Sequence, residues 1–147
     1  MRIIGNAELT EVAIAGHLAT VKRMPTGFPS PAEDMAEAPL SLDKLLAQRP
    51  ASMFFVEMAG DALLDSGIFS GDVLVVDRAL HPSYGAVVVV TLDDKLFARH
   101  YCPDSEAVHL LPAHPDVAPI SVYDRSRYHL LGVVTGVVRR LHRRTGC

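Results

Sequence analysis

The sequence predicts a mostly-β domain with one short helix, preceded by an extended N-terminal arm. Two observations carry this. Beyond residue 50 the chain is a succession of short runs rich in Val, Phe and Leu, each bounded by Gly, Pro or Asp. Before residue 40, "RMPTGFPSPAEDMAEAPL" holds Pro25, Pro29, Pro31 and Pro39. Proline fixes φ and removes a backbone donor, so this stretch reads as extended rather than helical. Residues 1–39 are accordingly expected to form a flexible arm and residues 40–147 a single β domain, within the length one core can organise.

The elements follow in order. In "SLDKLLAQRP" Ser41 can cap a short helix with Leu42, Leu45 and Leu46 on one side, and Pro50 stops it. Strands are expected in "MFFVEMA", "VLVVD", "AVVVVTL", "KLFARHY", "AVHLLPA" and "HLLGVVTGVV". Asp93 and Asp94 mark a tight hairpin without the usual glycine. Gly60, Gly67 and Gly71 fit turn positions that need positive φ or close backbone approach.

Composition narrows the function. With 49% apolar and 21% charged residues the chain is of ordinary globular type, and a net charge of -3 gives no global pull toward nucleic acid. Arg139, Arg140, Arg143 and Arg144 form a basic end, read either as a solvated tail or as a contact for a partner or a DNA backbone. Cys102 and Cys147 make no disulfide framework, which points to a reducing compartment. No secretory apolar region or membrane-length run occurs, so a cytoplasmic protein is expected.

The stretch that invites chemistry is "FFVEMAGDALLDSGIFSGDVLVVD", two apolar runs around a turn dense in Gly and Asp, with Ala62 at its apex. Asp61, Asp65, Asp72 and Asp77 lack the spacing of a calcium loop and read as turn acids that accept from nearby amides. His100, Cys102, His109 and His114 lack the second close pair of a zinc site. No metal or cofactor is expected.

Three stretches taken together, "TGFPSPAED" in the arm, "GDALLDSGIFSGDVLVVD" at the turn and "LFARHY" on a later strand, resemble the LexA/UmuD family of self-cleaving proteins. The resemblance runs from the arm to "LLGVVTGVVRRL" and implies a C-terminal-type, β-clip-like domain. It also implies a mechanism in which the arm lies across a cleft and is cut by a serine activated by a neutral lysine. Carried onto this chain, the nucleophile position is Ala62, the general-base position is Arg99, and the scissile bond is Thr26–Gly27.

Both catalytic positions have then lost their chemistry. Alanine has no hydroxyl, and a guanidinium with a pKa above about 12 cannot act as a neutral base. Ser66 and Lys95 are the nearest substitutes in sequence, but Lys95 would stand about 13 Å along the strand from Arg99, at roughly 3.3 Å per residue. Ser66 beside Gly67 reads as a turn residue. Ala62 could be an engineered replacement that traps an active peptidase, yet the second loss at Arg99 favours natural inactivity.

The resemblance further implies a homodimer acting as accessory and regulatory subunit of an error-prone Y-family translesion polymerase in the SOS response. Its other implied partners are the RecA filament on single-stranded DNA and an active relative able to cut the arm in trans. A stand-alone dimerisation module and a co-repressor acting through a separate DNA-binding protein remain alternatives.

Overall fold

The computed structural model describes residues 1–6 and 41–141. Eight strands form one curled antiparallel sheet: β1 Arg2–Asn6, β2 Met53–Glu57, β3 Val73–Asp77, β4 Val87–Leu92, β5 Lys95–Pro103, β6 Val108–Leu111, β7 Ile120–Val122 and β8 Tyr128–Val138. Their order across the sheet is β1-β2-β3-β8-β4-β5-β6-β7. The mostly-β expectation is met, and the single α-helix of the described residues, α1 Leu42–Leu46, is the capped one. The Ser41 side chain accepts from the Lys44 amide at 3.4 Å, and Pro50 opens a 3-10 turn beyond the helix.

Two strands were not foreseen. Residues 2–6, read from the sequence as the start of the arm, pair with β2 as an edge strand. The three-residue β7 pairs with β6, too short a run to show periodicity. Residues 7–40, with the arm's prolines and the Thr26–Gly27 bond, lie outside the described residues.

Strand alternation sorts the apolar side chains onto the two faces of the sheet. Phe54, Val56, Leu74, Val76, Val89 and Ala98 belong to one buried cluster, which the turn between β2 and β3 completes. Val88, Val90, Val108, Leu110 and Val122 form a second cluster, and Met53, Phe55 and Val75 a third. The Asp93–Asp94 hairpin places both residues in the left-handed region, at φ 48° and 64°. This is the conformation a two-residue hairpin demands, and aspartate tolerates it better than most side chains.

β8 holds the sheet together. Its residues 133–138 pair with β3 and its residues 128–133 pair with β4, with a register shift in each ladder. Just past its end, Arg139 closes the β2–β3 turn. Its guanidinium donates to both Asp72 carboxylate oxygens at 2.7 and 2.6 Å and to the Gly67 carbonyl at 2.7 Å, while lying 4.2 Å from the Phe69 ring centre. The Asp72 side chain is only 2% exposed and also accepts from the Phe69 amide. The Arg139 hydrogen bonds hold its carboxyl below the usual carboxylate range. A carboxylate with a lowered folded pKa contributes stability that is present above its unfolded value and lost as pH falls through the folded one. Arg139→Ala should therefore lower the urea midpoint near neutral pH, and the deficit should shrink at acid pH as Asp72 takes up its proton. An equal deficit at both pH values would show that the pair does not control this turn.

Candidate functional site

The β2–β3 turn is built from its backbone upward. Met58 donates to the Asp72 carbonyl and accepts from Gly71, both at 2.8 Å, which closes the base of the loop. Gly60, Gly67 and Gly71 sit at φ 85°, 78° and 92°, the region where a side chain would be strained, as their placement in the sequence suggested. Between them Leu64–Ser66 forms a 3-10 turn. Two further bonds tie the loop to the segment after β6: Asp65 donates to the Ala113 carbonyl at 2.8 Å, and Ala113 donates to the Ala62 carbonyl at 2.7 Å.

Ala62 is thus part of the core. It is 6% exposed and packs in one cluster with Met58, Leu63, Ile68 and, from β5, Ala98. Ala98 shares this cluster, whereas strand alternation turns the next residue, Arg99, to the other face of β5 with Phe97, so the two predicted catalytic positions are not brought into contact. Arg99 itself is 9% exposed, donates to the Ala98 carbonyl at 2.7 Å and lies 5.4 Å from the Phe97 ring centre. Its Nε is buried without a hydrogen-bond partner. Burial pushes the guanidinium pKa down, because a desolvated site disfavours the charged form.

The other residues singled out in the sequence are accounted for separately. Asp77 accepts from the Ser52 hydroxyl and the Ala79 amide, and pairs with Arg49 at 3.0 Å, while Asp72 is held by Arg139. His109 lies between Asp104 and Ser121, at 2.7 and 2.8 Å, and His114 accepts from the Asp116 amide. Cys102 is a buried free thiol. Among the described residues no three of His, Cys, Asp and Glu converge as metal ligands would.

Lys95 opens β5 and is exposed, whereas Ser66 meets a residue the sequence reading had not paired with it. The Ser66 hydroxyl is 2.8 Å from His100 Nε2, and His100 Nδ1 is 2.8 Å from the Gly85 carbonyl oxygen. Strand alternation held the one available signal, since it turns His100 to the same side of β5 as Ala98 and hence toward the turn.

The structure is a curled antiparallel β sheet with a glycine-rich turn between β2 and β3, the fold of the Peptidase S24-like family, to which the chain belongs and which it matches over residues 19–135. It is 34% identical to protein SamA of Salmonella typhimurium over 121 residues, 81% of this chain and 82% of that one. It is 35% identical to protein ImpA of Escherichia coli over 126 residues, 80% of each chain. It is 32% identical to the LexA repressor of Sorangium cellulosum over 136 residues, 91% of this chain and 56% of the repressor. No helix among the described residues is long and apolar enough to cross a membrane.

Proposed function

We propose that this chain is an SOS-response regulatory subunit of an error-prone translesion DNA polymerase, and that its own self-cleavage has been lost. The observation that carries this reading is Ala62. At the apex of the turn, where the family mechanism needs a hydroxyl, the chain buries a methyl group within the cluster that also holds Ala98. The guanidinium at Arg99 supports it, because that group cannot take a proton near neutral pH. Membership of the Peptidase S24-like family and similarity to SamA, ImpA and a LexA repressor support the SOS setting. In this reading the chain works as a cytoplasmic homodimer. It meets a Y-family polymerase and the RecA filament through protein surfaces, and an intact relative can cut its arm in trans at Thr26–Gly27.

An arm that is not cut keeps the protein in one of two states, and a partner that prefers one state shifts the balance by its differential affinity. The chain then acts as a brake on mutagenesis. The test is a pull-down with a Y-family polymerase, using the full chain and a form lacking residues 7–26, which keeps β1, with sedimentation as the control for dimerisation. The shortened form is expected to bind differently while remaining dimeric. Equal binding would remove the arm from the mechanism, and no binding by either form would favour a stand-alone dimerisation module or co-repressor.

A further inference from the structure

We propose that Ser66 and His100 form a nucleophile–base pair, on the rim of the turn that holds Ala62, suited to acyl transfer from small activated esters. The inference rests on the direction of two hydrogen bonds. A carbonyl oxygen can only accept, so the 2.8 Å contact between Gly85 O and His100 Nδ1 requires the proton on Nδ1. In the neutral ring Nε2 then carries the lone pair, and the Ser66 hydroxyl, 2.8 Å away, must donate to it. A hydroxyl that donates to an imidazole, itself oriented by a third group, is the arrangement that activates a serine.

All three members are fixed by backbone. Ser66 ends the 3-10 turn Leu64–Ser66, its amide bonded to the Leu63 carbonyl, and the preceding residue is tied to Ala113. His100 lies on β5, between Val87 of β4 and Leu111 of β6. Gly85 is held by its amide to the Tyr101 carbonyl at 2.7 Å, and Tyr101 donates back to Ala86. Ser66 is exposed and His100 half-buried, so a reagent can reach the hydroxyl while the base stays positioned. Among the described residues a further serine–histidine contact, Ser121 with His109, uses Nδ1, while His109 Nε2 is held by Asp104.

In the proposed step a Ser66 Oγ–carbon bond forms at the ester carbonyl as the hydroxyl proton passes to His100 Nε2. The carbon–oxygen bond to the leaving group breaks, and the alcohol departs with that proton. Water then hydrolyses the acyl-serine with the same base and restores the hydroxyl. This site is independent of the regulatory role proposed above. It is also independent of position 62, so Ser66→Ala should leave unchanged the cutting at Thr26–Gly27 expected of the double variant Ala62→Ser with Arg99→Lys.

The test is labelling of the full chain with an alkyl fluorophosphonate, in which a serine oxygen–phosphorus bond replaces phosphorus–fluorine and fluoride leaves. Peptide mass mapping should place the label on Ser66, faster than on exposed Ser83. Ser66→Ala should abolish that label, and His100→Gln should slow it at least about tenfold. Circular dichroism of each variant checks folding, and Ser66→Ala alters only an exposed side chain. Labelling of Ser66 no faster than Ser83, or unchanged by His100→Gln in a folded protein, would overturn the proposal.

Discussion

Held at alkaline pH or mixed with an activated RecA filament, the purified chain should release no fragment beginning at Gly27. Removing the nucleophile of a serine peptidase costs about a millionfold in turnover, and loss of the base adds little because the members act as a unit. Alkali speeds a serine–lysine pair by neutralising its lysine, and position 99 here carries no lysine to neutralise. The converse expectation is sharper. Ala62→Ser combined with Arg99→Lys should restore the cut, while either change alone should not. Arg99 is desolvated and its pKa lowered, but it alternates away from Ala98 and the turn, so the double change also tests whether a lysine at position 99 reaches position 62. A lysine buried there would be driven toward its neutral form. A Gly27 fragment from the unaltered chain would sink the inactive reading. A folded double variant that stays uncut would show divergence beyond the two side chains.

Gly132→Ala should be among the most damaging single-methyl changes in the fold. A Cβ at this position would stand 2.7 Å from the Asp77 carbonyl oxygen and 2.7 Å from Val76 Cγ1. Gly132 faces Val89 of β4 just before β8 passes to β3, so the crowding falls on backbone at the centre of the sheet. Overpacking of this kind costs about 1 to 3 kcal/mol, and a clash with backbone belongs at the upper end. Gly136→Ala is the control, because its nearest neighbour is the Leu46 side chain at 3.2 Å, which can rotate away. Urea denaturation of both variants decides the matter. A loss below about 0.5 kcal/mol at Gly132, or a larger loss at Gly136, would contradict this account.

What the sequence revealed was local. Ser41 before a leucine-patterned turn, three glycines at positive φ and two aspartates between apolar runs each carry their conformation in a few neighbouring residues. The buried strands were legible for the same reason. The partners that complete the site are not local. Arg139 reads in sequence as the start of a basic tail, and its clamp on Asp72 spans 67 residues. Ser66 reads as a turn residue, and the histidine that gives its hydroxyl a direction is 34 residues away. Such pairings depend on which strands lie side by side, and the insertion of β8 between β3 and β4 is not written in any short pattern. Ala62 and Arg99 were singled out from motif spacing, which needs no knowledge of the sheet. That both are buried, with an orphaned Nε on the arginine, required the fold.

The central place of β8 also bears on how the protein is made. β3 and β4 are synthesised some 40 to 60 residues before residues 128–138 arrive to join them. Until then each presents an open row of amides and carbonyls beside valine-rich side chains, the kind of surface that pairs with a stranger. A nascent chain paused or truncated before Tyr128 would hold two half-sheets with nothing between them. Its natural companions would be a chaperone or an aggregate. Productive folding should therefore be a late event on the ribosome, triggered by the emergence of one eleven-residue strand.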